Sequence, residues 1–162
     1  MTGKQTKYFG LAFGLLMLVP SAQSVAASTL AKRSRCHRVF VSSPEAAKTR
    51  RRRPKFSAAK IMDIRLQALV SRKLTGHRSL EFKIYTPKGN LYQSITLQFD
   101  ADAPIPEGAR RRSRRFQEVN AVLPVAGTSI VTSSMYGTWK VEAFLDGDER
   151  RCSRPRKFKI RP

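Results

Sequence analysis

At 162 residues the chain is long enough for one domain with its own hydrophobic core and too short for several. Its 32 lysines and arginines outnumber its 11 acidic residues, which gives a formal charge of +21. A charge of this size attracts polyanions and makes a cationic partner unfavourable. Two histidines and two cysteines leave few groups for metal binding or nucleophilic catalysis.

The first 27 residues have the pattern of an export signal peptide. Lys4 and Lys7 give a positive start, residues 8–19 are apolar, and Val25 and Ala27 are the small residues that a signal peptidase requires. The apolar stretch has 12 residues, whereas a bilayer core needs about 20. We therefore expect cleavage after Ala27, no transmembrane segment in the mature chain, and a periplasmic or extracellular location. The chain that remains keeps a charge of +19.

The two cysteines, Cys36 and Cys152, are expected to form a disulfide, because an even number in an exported chain indicates pairing. The alternative is that Cys36 lies in a mobile tail and both thiols stay free. Residues 28–38 are polar and basic and are expected to be a flexible N-terminus. The folded domain is expected to span residues 39–162.

Alternating apolar residues predict the strands of this domain. The first long run, over residues 62–70, also fits a helical spacing, but the alternation matches more positions. The runs 80–85 and 91–99 flank Pro87 and Gly89, which favour a turn, and together they predict a β-hairpin. Trp139 is expected on the buried face of a later strand. The remaining runs lie at residues 119–125, 130–132, 138–145 and 158–160, and the turn pair Asp146-Gly147 follows the third of these.

Two arginine runs are expected in solvent-exposed loops, at residues 42–57 and 100–116, since like charges and proline oppose regular structure. The planar guanidinium suits phosphate and carboxylate oxygens, so these runs are the candidate polyanion-binding site. Solvated loops without a ligand, or protease-sensitive loops, are the alternatives. The candidate residues are Arg50, Arg51, Arg52, Arg53, Arg110, Arg111, Arg112, Arg114 and Arg115.

Seven or so short alternating runs predict an all-β sandwich. The closing part of the chain resembles exported bacterial immunoglobulin-like modules of unknown function, which often read Gly-x-Trp-x-Val, then an Asp-Gly turn, then Phe-x-Ile. The resemblance implies an immunoglobulin-like β-sandwich and says nothing about activity. It rests on the segments Tyr136-Gly137-Thr138-Trp139-Lys140-Val141-Glu142-Ala143-Phe144-Leu145-Asp146-Gly147, Phe158-Lys159-Ile160 and Phe82-Lys83-Ile84-Tyr85-Thr86-Pro87-Lys88-Gly89-Asn90-Leu91-Tyr92-Gln93.

Catalysis, metal binding and cofactor binding are not predicted. No motif flanks His37 or His77 that would make a cysteine–histidine pair catalytic, and paired zinc-ligand spacing is absent. Asp100, Asp102 and Glu107 lack the glycine and the terminal glutamate of a calcium loop, and an acidic loop that partly neutralises its own basic end is preferred.

The sequence therefore indicates a non-catalytic, exported binding or structural module that engages an anionic surface or polymer through arginine-rich loops. Lipopolysaccharide, a wall polymer and extracellular nucleic acid are the partners considered. The alternative is an accessory domain that contacts an envelope protein during envelope or extracellular assembly. Salt separates the two, because polyanion binding weakens steeply with salt and an apolar interface does not.

Overall fold

The computed structural model describes residues 36–45 and 53–162. The expected signal peptide at residues 1–27, the first part of the expected flexible segment, and Arg50, Arg51 and Arg52 lie outside the described residues. Those that are described all belong to one compact unit.

The described residues form an all-β domain with little helix. Its strands are β1 Cys36–Ser42, β2 Lys55–Ser57, β3 Asp63–Ser71, β4 His77–Tyr85, β5 Leu91–Asp100, β6 Phe116–Pro124, β7 Gly137–Leu145 and β8 Arg156–Arg161. Two single-turn helices, α1 Arg111–Arg115 and α2 Ser129–Thr132, and a 3₁₀ turn at Ala58–Lys60 complete the elements.

The strands form two sheets. One has three strands in the order β1-β3-β6, and the other has five in the order β2-β8-β7-β4-β5. All pairings are antiparallel except that of β2 with β8. Buried side chains from both sheets form one hydrophobic cluster, which includes Trp139, Phe82, Phe158, Ile64 and Leu123.

Most of the predicted strands are confirmed because one face of each is buried. On β3, β4, β6 and β8 the alternate apolar residues are buried, as the period of two requires. The residues between them are largely exposed on β6 and β8 and mostly half-buried on β4, and on β3 Leu69 is buried as well. The predicted hairpin is formed by β4 and β5, and the Thr86 N–H and the Gly89 N–H close its turn. Asp146 and Gly147 both have positive φ, at 55° and 71°, as the predicted turn requires.

Outside the second arginine run, four sequence-based expectations differ from the structure. Strand β1 begins at Cys36, inside the segment expected to be flexible, because Cys36 is held by its disulfide and its N–H donates to the Cys152 carbonyl. The extended piece expected at Ile130 is helix α2, whose first turn the Thr128 hydroxyl caps by accepting from the Ile130 N–H. Met62, expected on the buried face of β3, precedes that strand and is 62% exposed. Finally, Lys55–Ser57 is a strand rather than loop.

Gly137 marks a close approach between the start of β7 and the turn of the hairpin. Its φ is +137°, and a Cβ built there would lie 2.9 Å from the Pro87 Cβ. A side chain at this position would therefore collide with the hairpin turn, so that β7 meets β4 closely only because residue 137 is glycine.

None of the helices in the described ranges has the length and apolarity needed to cross a membrane.

Candidate functional site

The second arginine run forms helix α1 rather than the expected loop. The Arg110 backbone is extended, and one helical turn then runs directly into β6 at Phe116. The Arg114 N–H donates to the Arg110 carbonyl, and the Phe116 N–H donates to the Arg112 carbonyl. All five arginines of this run are solvent-exposed, as predicted, and the Nε–H of Arg114 also donates to the Ala109 carbonyl at 3.2 Å.

Arg72 holds α1 in place from the end of β3. Its backbone N–H donates to the Arg115 carbonyl at 3.1 Å. Its side chain donates through Nε to the Ser113 carbonyl at 2.9 Å and through Nη1 to the Ala103 carbonyl at 2.6 Å. A guanidinium that binds several carbonyls fixes a short turn that propensity alone would not stabilise. Arg72 therefore orients the exposed arginines of α1.

Helix α1 reaches the outer face of the three-stranded sheet at β1. The Arg112 guanidinium lies 4.6 Å from the centroid of the Phe40 ring, and that of Arg38 lies 5.8 Å from the same centroid. Such cation–π contacts are favourable at roughly 0.5–1 kcal/mol each when exposed. They position two guanidinium groups from distant parts of the sequence on one ring.

A shallow groove beside the disulfide extends this surface. Cys36 and Cys152 are bonded, with their Cα atoms 5.1 Å apart, which confirms the predicted pairing. The groove is lined on either side of the bond by His37, Arg38, Glu149, Arg150, Arg151 and Arg154. The disulfide therefore brings Arg38, near the start of β1, next to the arginines that follow β7.

The groove and α1 are adjacent. The His37 ring stacks on the Phe116 ring, with centroids 4.9 Å apart, and Phe116 directly follows α1. We call the combined region the basic surface and define it as Arg38, Arg110, Arg111, Arg112, Arg114, Arg115, Arg150, Arg151 and Arg154.

Positive charge exceeds negative charge on the basic surface, where Glu149 is the acidic residue that lines the groove. Burial and the positive charge of Arg38 lower the pKa of the neighbouring Arg156 guanidinium. Among the arginines of the surface, Arg151 is engaged by a carboxylate, because its Nη1 lies 3.0 Å from Oε1 of Glu142. Glu142 also pairs with Lys140 at 3.2 Å. The arrangement can bind phosphate, sulfate or carboxylate groups by charge-assisted hydrogen bonds.

Arg53 of the first arginine run lies beside the other sheet. Arg53, the one member of that run within the described residues, is exposed just before β2. Strand β2 pairs with β8, and Lys55 lies opposite Lys159. The structure therefore places Arg53 at the edge of the five-stranded sheet and α1 against the three-stranded sheet.

Two acidic residues of the 100–116 segment, Asp100 and Asp102, have structural roles in the turn. Oδ2 of Asp102 accepts the Gly76 N–H at 2.7 Å, and Oδ1 of Asp100 accepts the Asp102 N–H at 2.9 Å. In the described part of the chain, no three His, Cys, Asp or Glu residues lie together as metal ligands would.

Sequence reasoning missed Arg38, Arg72, Arg150, Arg151 and Arg154. A signal for most of them was present, since Arg38, Arg150, Arg151 and Arg154 lie within two residues of a cysteine predicted to pair. Pairing Cys36 with Cys152 necessarily brings those arginines together. No comparable signal marks Arg72, which lies in neither arginine run.

No protein-family model matches the chain, and neither does any curated protein. Among solved structures, the alkylpurine DNA glycosylase AlkC of Pseudomonas fluorescens, bound to DNA containing an abasic site analogue, aligns at 13% identity and a TM-score of 0.49. That alignment covers 82% of this chain and 32% of the glycosylase. The CARDB domain of a Pyrococcus furiosus protein, in complex with di-metal ions, aligns at 11% identity and a TM-score of 0.37, covering 76% of this chain and 85% of the domain. Similarities at this level carry no argument about function.

Proposed function

We propose that this protein is a non-catalytic, exported, immunoglobulin-like module that binds polyanions on its basic surface. The observation that carries the proposal is the convergence of arginines from three distant parts of the sequence. Arg38 and Arg112 of α1 meet on the Phe40 ring, and Arg38 also lines the groove at the disulfide together with the arginines beside Cys152. If these arginines served only to keep the protein soluble, they would not need to lie close together, because close like charges repel each other.

The strand order supports the immunoglobulin-like assignment. A three-stranded sheet faces a five-stranded sheet, and β7, β4 and β5 are neighbours in the second sheet, as in sandwiches of that class. The Trp139 that belongs to the family-like motif is fully buried in the shared core. The disulfide supports export, since such bonds persist in oxidising compartments.

The arginines of the basic surface hold the anionic groups of the ligand, and the aromatic rings of the surface do not stack on it. The Phe40 ring already has Arg38 and Arg112 against it, and the rings of His37 and Phe116 stack on each other. A surface of this kind suits the repeated anionic groups of a lipopolysaccharide, a wall polymer or a nucleic-acid backbone.

The test is salt-dependent binding to heparin, to duplex DNA and to anionic vesicles. The logarithm of the affinity for DNA should fall linearly with the logarithm of salt concentration, with a slope of about 0.9 per phosphate contact. The variant in which Arg110, Arg111, Arg112, Arg114 and Arg115 become Ser should reduce that slope by up to about 4.5.

A matched control separates the basic surface from net charge. Lys55, Lys60, Lys157, Lys159 and Arg161 are also exposed, and replacing all five by Ser removes the same charge. The control should keep most of the slope. An equal loss of slope in both variants would show that binding follows total charge and would overturn the proposed surface. The polyanion proposal as a whole fails if the unaltered protein binds none of the three probes at low salt.

A further inference from the structure

The free edge of β5 differs from the other sheet edges of the described chain. Each sheet has two edge strands, which are β1 and β6 in one and β2 and β5 in the other. Edge strands that must not pair with other chains are shortened, bulged or marked with charge or proline. Strand β2 has three residues, β1 has a register irregularity beside Arg38, and β6 contains Glu118 and ends in Pro124.

Strand β5 has a register irregularity at its start, between Leu91 and Gln93, and carries none of these devices from Ser94 to Phe99. It is the longest strand, with ten residues, and from Leu91 to Phe99 it contains neither charge nor proline. The side chains of Ile95, Leu97 and Phe99 point towards the core and are only half-buried. Within the described residues, the backbone of this stretch is hydrogen-bonded to β4 alone. A flat row of unpaired N–H and C=O groups beside incompletely covered apolar side chains is a template for another strand.

The distribution of charge along the chain indicates which partner strand pairs with the free edge of β5. Residues 89–109 contain no lysine or arginine, although the whole chain has 32. Two copies of so basic a protein repel each other over most of their surfaces, and the β5 edge is where that repulsion is smallest. Independently of the proposed function, we propose that β5 pairs antiparallel with β5 of a second copy, which joins the two five-stranded sheets into one.

The ends of β5 are complementary in charge for this arrangement. Antiparallel pairing centred on Thr96 places Ile95 of one copy opposite Leu97 of the other, so that the core-facing side chains stay on one face of the joined sheet. It also brings the exposed Lys88, in the turn before β5, to the end of the other strand that carries Asp100 and Asp102. The two-fold axis gives this contact twice.

The test is the oligomeric state of the protein, measured by sedimentation over a range of concentrations. Thr96 is exposed, and Thr96→Lys places two lysines opposite each other at the centre of the proposed pairing. This variant should weaken dimerisation at least about tenfold. The matched control is Asn120→Lys, which adds the same charge at an exposed position on β6 and should leave the dimer unchanged.

A second variant tests the charge complementarity. Lys88→Glu should also weaken the dimer, because it places a carboxylate beside Asp100 and Asp102 of the other copy. Circular dichroism and thermal melting of each variant show that the fold is retained, so that a loss of dimer reports on the interface.

Three outcomes would overturn the inference. The first is a protein that stays monomeric at about 1 mM, where a binding free energy of about 4 kcal/mol would already give substantial dimer. The second is a dimer that Thr96→Lys leaves intact, and the third is a dimer that Asn120→Lys weakens equally. None of these results bears on polyanion binding, which is measured with a separate probe.

Discussion

Trp139 is the largest fully buried side chain of the domain, and its surroundings show what its removal costs. Its ring lies edge-on to Tyr92, with centroids 5.2 Å apart, and near-parallel to Phe158 at 6.3 Å. Its Nε1–H donates to the Met135 carbonyl at 3.0 Å. The indole therefore fills space between β5, β7 and β8 and also satisfies a backbone carbonyl.

Trp139→Ala should lower the free energy of unfolding by about 3–5 kcal/mol, because it removes buried area and leaves a cavity. Denaturant titration followed by circular dichroism measures this loss. Trp139→Phe is the control, and it should cost less because it retains most of the ring. Equal stability of the Ala variant and the parent would contradict the packing described.

Tyr85 has an environment that favours its neutral form. Partial burial and the nearby Glu142 carboxylate raise the pKa of its phenol above the usual value. The Lys140 ammonium lies 4.1 Å from the centroid of the ring. Because the folded-state pKa is raised, the folded protein holds this proton more tightly than the unfolded chain does.

The contribution of Tyr85 to stability should be fully present below the usual pKa of tyrosine and should be lost as pH rises through the raised value. Ultraviolet titration of the phenolate should show one tyrosine that ionises late, and Tyr85→Phe should remove that step. A titration in which Tyr85→Phe removes an early step would contradict the direction of the shift.

At the scale of elements, the disulfide joins β1 to the segment between β7 and β8 over a sequence separation of 116. Both cysteines are buried, and the Cys152 N–H also donates to the Ala143 carbonyl. In the chain-entropy model, closing a loop of this length stabilises the fold by about 4–5 kcal/mol. The double variant Cys36→Ala, Cys152→Ala should lose a large part of that amount in denaturant titration. Reducing the parent protein is the control and should give a similar loss, whereas an unchanged midpoint in both would contradict the structural role of the bond.

The stability of the protein should depend more on Arg72, which holds α1 in place, than on an exposed arginine within α1. Arg72→Ala removes side-chain hydrogen bonds to the Ser113 and Ala103 carbonyls, so it should cost about 1–3 kcal/mol of stability. Arg111→Ala removes the same charge from an exposed position and should change stability by less than about 0.5 kcal/mol. Thermal melting compares the two, and equal melting temperatures would show that Arg72 does not hold the helix.

The elements that sequence reasoning predicted correctly are those whose pattern is local. The alternation in β3, β4 and β6 reflects burial of one face, which each strand records in its own residues. Helix α1 could not be predicted, because its turn depends on Arg72, about 40 residues earlier in the chain. Strand β2 could not be predicted either, since three residues after a basic run form a strand only by pairing with β8.

At the scale of the whole molecule, the candidate site could be predicted only in part. The arginines of α1 were identified because they are consecutive, and their exposure followed from their charge. Arg38 and Arg154 join them only through the folded structure, in which the disulfide and the contacts to Phe40 connect three segments. A sequence pattern shows which charged residues are neighbours along the chain, but it does not show which distant residues the fold brings together.

The two proposed interactions should respond to salt in opposite directions. Polyanion binding by the basic surface should weaken as salt rises, because the displaced counterions gain less entropy. Pairing of two β5 strands should strengthen over the same range, because salt screens the repulsion between two highly basic copies. Sedimentation and heparin retention measured from about 50 to 500 mM salt check both. Parallel weakening of the two would indicate that self-association depends on a bound polyanion or on the contacts of Lys88 with Asp100 and Asp102, and Lys88→Glu separates these two cases.

The cysteine pair also determines which disulfide errors can occur while the protein is made and folds. The sequence has two cysteines, so a single chain has one possible disulfide and no internal mispairing to correct. Cys36, however, precedes Cys152 by 116 positions, so its thiol is made before its partner and stays unpaired until Cys152 has been made. During that interval its thiolate can attack the Cys36–Cys152 disulfide of another chain, which forms a bond between the two chains and releases one thiol of the attacked pair. The error expected in production of this protein is therefore a covalently linked pair of chains, which dilution makes rarer and a small thiol reverses by the same exchange.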